Sequence, residues 1–166
     1  GTYEWTVPSV ISNNCRISIE ARDFSGNKGY SISNNDFSIT QLNTVYVSPE
    51  GNDVSGDGSE TYPLKTFKTA MGAVANGGTI RAFGGTYTGT GEYNIIWNKN
   101  NITLQPYPQT ALCKIDVNGQ GRFLTLTALI NLTIEGFTIQ NGSSTSGGGI
   151  LLSPNTKLWL KNFIFK

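Results

Sequence analysis

The stretch Asn131–Gly149, NLTIEGFTIQNGSSTSGGG, is followed by KLWLKNFIFK from Lys157 to Lys166, and one offset lays the second on the first. Leu132 then falls on Leu158, Ile134 on Leu160, Phe137 on Phe163 and Ile139 on Phe165. Both copies alternate apolar and polar residues, break the alternation at a small or polar residue (Gly136, Asn162) and resume it. Alternation of this kind puts one side of a strand on a core and the other in solvent. A unit this short cannot bury its apolar side alone, so copies must stack and share a continuous core. The repeat therefore selects a solenoid.

Earlier segments fit the same scheme. NITLQPYP from Asn101 and FLTLT from Phe123 place aliphatic or β-branched residues at alternate positions, with Asn or Gly at the corners. Inward Leu, Ile and Phe stack coil on coil, each such burial contributing about 1.5–3 kcal/mol. The last coil carries no polar cap up to Lys166, so further coils or a stacked subunit are expected beyond it.

At Val45 the pattern changes to VYVSPEGNDVSGDGSETYPLKTFKTAMGAVANGGTIRAFGGTY. Val45–Val47 reads as a strand and Ser48–Glu60 as a loop of Gly, Asp, Asn, Ser and Pro. After Pro63, Leu64, Phe67, Met71 and Val74 fall at helical spacing. The spacing predicts a helix within Pro63–Ala75, with Thr66 as N-cap and Gly77-Gly78 as stop, and then a strand over Thr79–Phe83. A helix laid across the first coil would cover its open apolar end and block edge pairing. With Tyr46-Val47-Ser48, Gly51-Asn52-Asp53, Gly56–Gly58, Pro63–Thr66, Gly78–Ile80 and Gly85–Tyr87, the stretch resembles the opening of right-handed parallel β-helix proteins of the pectate-lyase-like superfamily. GFTIQNG followed by GGGI is also similar to the repeats of β-helical adhesins and autotransporter passengers.

The first 40 residues read differently. Cys15, Ile17, Ile19 and Ala21 alternate with Arg16, Ser18, Glu20 and Arg22, as in a half-buried strand. Asp23–Gly29 supplies turn residues, and Tyr30, Ile32, Phe37 and Ile39 carry the chain back as a hairpin partner. YEWTVP before it, together with CRISIEARDFSGNKG, resembles the last strands of an immunoglobulin-like β-sandwich module of bacterial and archaeal secreted proteins. Such a sandwich needs about seven strands, where some three are present. The strands are expected to belong to a longer polypeptide, or to complete their sheet on another chain or on the solenoid. The expected organisation is thus partial sandwich strands over 1–40, a linker over 41–44, and cap and first coils over 45–166. The fold class is all-β.

Composition narrows the function. Charged residues make up 14 % and the chain holds 20 Gly, which fits turn-dense extracellular proteins. A net charge of +1 without any basic run speaks against nucleic acid as a partner. No apolar run approaches the roughly 20 residues needed to span a bilayer, and any signal peptide is expected outside these residues. The chain has no His, which removes Ser/His/Asp and Cys/His catalysis. Cys15 and Cys113, in different modules, read as two free thiols rather than a disulfide.

Four groups of residues could carry chemistry. Asp53, Asp57 and Glu60 are oxygen ligands among glycines, of the kind Ca²⁺ accepts, although their spacing matches neither the EF-hand loop nor the glycine-aspartate nonapeptide repeat and turn capping comes first. Trp159, Trp97, Tyr107 and Tyr93 are candidates for stacking on sugar rings, with Trp159 outward if Leu158 and Leu160 are inward. Asn101, Asn131 and Asn141 begin glycosylation sequons that corner asparagines explain as well. Lys114, Asp116, Arg122 and Glu135 do not form the clustered Asp ligands that the pectate-lyase resemblance implies for a catalytic centre.

The leading expectation is a secreted or cell-surface protein whose β-helix presents a face to polysaccharide or cell-envelope glycan, with no catalytic residue in this portion. The alternatives are the start of a Ca²⁺-dependent polysaccharide lyase and a fibre subunit self-associating through an open β-helix end or an incomplete sandwich.

Overall fold

The computed structural model describes residues 12–127 and 129–166, which fall into two compact units divided between Gln41 and Leu42. The YEWTVP segment lies outside the described residues.

In the first unit, β1 (Ser12–Cys15) pairs antiparallel with β4 (Phe37–Ile39), and β2 (Ser18–Arg22) with β3 (Lys28–Ile32). Asp23 closes the β2–β3 turn: its carboxylate accepts from the amides of Ser25 (2.9 Å) and Asn27 (2.8 Å) and from the Asn27 side chain (2.8 Å). These bonds, the Asn27 side chain first, hold the Asp23 carboxyl below its ordinary range. The half-buried strand expected here is corrected by the structure, because every residue of β2 is exposed. The register gives the reason. Opposed residues share a face, so the pairs Glu20↔Tyr30 and Ser18↔Ile32 put Tyr30 and Ile32 on the side away from Ile19, which faces with Ser31. The apolar residues are split between two faces, and no described residue of this unit is buried.

The second unit is a parallel β-solenoid of about three turns. After β5 (Leu42–Val47) and the helix α1 (Phe67–Ala73), the first coil is β6 (Val74–Phe83), β7 (Gly85–Thr88) and β8 (Ile95–Trp97). The second is β9 (Ile102–Tyr107), β10 (Cys113–Asp116) and β11 (Leu124–Leu126). The third is β12 (Asn131–Glu135), β13 (Phe137–Gln140) and β14 (Ile150–Leu152), followed by β15 (Lys157–Lys161) and β16 (Ile164–Phe165). Three parallel sheets result, with strand orders β5-β6-β9-β12-β15, β7-β10-β13-β16 and β8-β11-β14.

The offset seen in the sequence is the register of the strands. Leu132 pairs with Leu158, Ile134 with Leu160 and Ile139 with Phe165. Three inward columns follow: Ile80–Leu104–Ile134–Leu160, Tyr87–Ile115–Ile139–Phe165 and Ile95–Leu124–Ile150. Their members in the first two coils are buried, and together they form the apolar core.

Corners between strands need left-handed backbone. Gly136 (φ 74°) turns β12 into β13, and Asn162 (φ 48°) turns β15 into β16. Asn tolerates this region, but at Gly136 a Cβ would also meet the Pro106 ring at 2.7 Å. Gly136→Ala is therefore expected to cost roughly 1–3 kcal/mol in urea unfolding, and Asn162→Gly a few tenths. Equal effects at the two corners would contradict this.

Thr66 caps α1 by accepting from the Thr69 amide at 3.2 Å, as the sequence predicts. The helix ends at Ala73 rather than running to Ala75, because Val74 already begins β6 and is buried there. Likewise Leu42–Thr44, expected within a linker, open β5 and pair with β6. No helix among the described residues is long and apolar enough to cross a membrane.

Candidate functional site

The five-stranded sheet carries the most regular outer face. Because Val45, Ile80, Leu104, Ile134 and Leu158 point inward, their neighbours point out. One outward column is Thr44–Thr79–Thr103–Thr133–Trp159, aligned in register across all five strands. The Thr hydroxyls of this column donate no hydrogen bond within the described residues, so each is free for a ligand. Trp159 closes the column with 48 % of its surface exposed.

At the other end of the face is an aromatic cluster. Tyr46 aligns with Arg81, and Phe83 with Tyr107. Tyr46 and Tyr107 meet edge to face at 5.2 Å, and Phe83 lies 5.5 Å from Tyr107 and 6.0 Å from Tyr46. The Arg81 guanidinium sits 5.8 Å from the Tyr46 ring and 5.4 Å from the Tyr107 ring, inside cation–π range. Its Nη1 donates to the Tyr46 hydroxyl at 3.2 Å, and its buried Nε has no partner among the described residues. The Tyr107 hydroxyl donates to Glu60 at 2.9 Å, and this bond raises the phenol above its ordinary value. From β5 to β15 the face spans four strand spacings, about 19 Å.

The structure brings Trp159 and Tyr107 onto this one face and places the other two stacking candidates elsewhere. Trp97 is fully buried in β8 and donates its Nε1–H to the Lys99 carbonyl at 3.0 Å, so its ring belongs to the core and offers no face to a sugar. Tyr93 is half-buried against the core.

The three acidic candidates for a metal have separate partners. Asp53 accepts from the amides of Lys65 (2.8 Å) and Thr66 (3.1 Å) and from the Thr66 hydroxyl (2.8 Å). Asp57 accepts from the Ser59 amide at 2.8 Å, and Glu60 is bonded to Tyr107. Among the described residues no three His, Cys, Asp or Glu side chains come together, so the structure does not gather these three carboxylates at one point. Of the sequon asparagines, Asn101 (φ 57°) and Asn141 (φ 58°) occupy left-handed corners and Asn131 opens β12. The Asn131 side chain donates to Asn101 Oδ1 at 3.1 Å, and that of Asn141 to Asp116 at 2.9 Å. Asp116 also accepts from Gln140 at 2.8 Å, which with Asn141 keeps its carboxyl below the ordinary range, and Arg122 is bonded to Ser144. Both cysteines are free thiols, and burial pushes Cys113 up to about 12.

No sequence pattern points to Glu92. It is 1 % exposed, and both its oxygens lie 3.4 Å from the Phe67 amide at the start of α1. The loop carrying it is held close to the helix: the Gly91 carbonyl accepts from Lys68, and a Cβ on Gly91 would meet Thr66 at 2.3 Å. No family model matches the chain, and no curated protein or solved structure matches it either.

Proposed function

We propose that this is a secreted or cell-surface protein that binds polysaccharide or cell-envelope glycan along the outer face of its five-stranded sheet. The observation that carries the reading is Trp159, half-exposed and in register with a column of free threonine hydroxyls. An exposed indole stacks on the apolar face of a pyranose, while hydroxyls and the amide of Gln105, which aligns with Arg81 on the same face, exchange hydrogen bonds with sugar hydroxyls. The Tyr46–Phe83–Tyr107 cluster provides a second aromatic platform on the same face. Within this reading the coil is of the right-handed, pectate-lyase-like kind. The hand is supported by the general rule for parallel crossovers and the kind by the sequence resemblance.

Binding to a panel of plant, algal and bacterial wall polysaccharides tests the reading. Trp159→Ala is expected to weaken retention at least about tenfold, equivalent to about 1.4 kcal/mol, with thermal stability unchanged. Retention no better than background, or a variant that binds like the parent, overturns it.

A further inference from the structure

We propose that β15 forms a binding site for a polyanionic glycan through Lys157, Trp159 and Lys161. The inference rests on the reading of this face as glycan-binding and adds the charge of the ligand and its direction.

KLWLK alternates, and the register fixes which side chains face out. Leu158 aligns with buried Leu132 and Leu160 with buried Ile134, so Lys157, Trp159 and Lys161 stand on the outer face, and all three are exposed. Neither lysine side chain makes an ion pair or hydrogen bond among the described residues. Lys157 stands opposite the uncharged Asn131. Lys161 stands opposite Glu135, but the two do not pair, so the carboxylate lowers the local potential without occupying the ammonium. Elsewhere on the face Arg81 adds a cation, while Glu60 is already bonded to Tyr107. These outward side chains keep their direction whatever pairs with the free edge of β15, because ladder bonds lie in the plane of the sheet.

The two ammonium groups branch from Cα atoms about 13 Å apart, four residues along a strand. Standing upright on the strand on either side of the Trp159 ring, they stay apart, and a lysine is a point charge rather than a planar fork. Each therefore meets a different acid group on a polymer that runs along β15, with one sugar stacked on Trp159 between them. Carboxylates of a uronan and sulfate esters of a galactan share this chemistry.

The test compares the parent, Lys157→Gln/Lys161→Gln and Trp159→Ala by affinity electrophoresis in polyuronate, sulfated galactan and neutral glucan gels, at low and high salt. The parent is expected to bind at least one polyanion about tenfold more tightly than the glucan, with the preference lost at high salt. The double lysine variant should fall to the glucan level while keeping glucan binding, and Trp159→Ala should lose both. The proposal is overturned if the glucan is bound as tightly as both polyanions, or if the double variant keeps the acidic preference. Single-stranded DNA retained as well as the polyanions would also overturn it, by reducing the site to bare charge. If the parent binds no polysaccharide at all, the wider glycan reading falls together with it.

Discussion

Phe67→Ala is expected to lower the unfolding free energy by about 3–5 kcal/mol. Phe67 is fully buried at the start of α1, with its ring 4.7 Å from Tyr87, 5.6 Å from Phe123 and 5.8 Å from Phe137. Those three belong to or border the first, second and third coils, so one side chain ties the helix to successive layers. The site resists collapse because Tyr87 is fixed by donating to the Val47 (3.0 Å) and Phe83 (2.7 Å) carbonyls. A cavity left there stays open, and the cost lies toward the upper end of the range. Urea unfolding should show a lower midpoint with an unchanged slope, whereas Thr103→Ala on the outer face should stay within about 0.5 kcal/mol of the parent. A loss below about 1 kcal/mol for Phe67→Ala would contradict this packing.

The protein should lose stability as pH rises from about 5 to about 9, and Glu92→Gln should remove most of that dependence. Burial pushes the Glu92 carboxyl up to about 8 from its ordinary 4.5; the Phe67 amide opposes the shift and the Asp53 charge adds to it. A raised carboxyl binds its proton more tightly in the folded state. Its contribution is therefore full below pH 4.5 and is lost as pH climbs through about 8, by at most about 1.4 kcal/mol per pH unit. The full loss amounts to roughly 3–5 kcal/mol. Asp57 and Asp116, held below 3.8 by hydrogen bonds, act with the opposite sign and weaken the fold only in stronger acid. Melting temperatures across this range should fall for the parent and stay nearly level for Glu92→Gln. A parent as stable at pH 9 as at pH 5 would refute the assignment.

The contrast between Ile134 and Ile19 shows what a sequence of this kind reveals. Both sit in clean alternation, yet Ile134 is fully buried and Ile19 is 62 % exposed. Period two says which residues share a face, and only a repeat says that another layer covers it. Asn131–Glu135 has such a partner at a fixed offset, so its register could be read directly from the sequence. Ser18–Arg22 has none. Trp159 was legible as outward because leucines flank it, whereas Trp97 follows two isoleucines in a three-residue strand where alternation leaves no trace. The Glu60–Tyr107 bond and the burial of Glu92 depend on where a loop lands on a distant strand or helix, and no local pattern encodes that.

The most direct test of the glycan face is a nuclear magnetic resonance titration of the isotope-labelled protein with fragments of whichever polysaccharide it retains. The account predicts that the shifted signals map to the Trp159 indole, to Thr103 and Thr133, and to Lys157 and Lys161. Signals that shift instead on the outer face of the β8-β11-β14 sheet, at Ile96, Thr125 and Leu151, would contradict it.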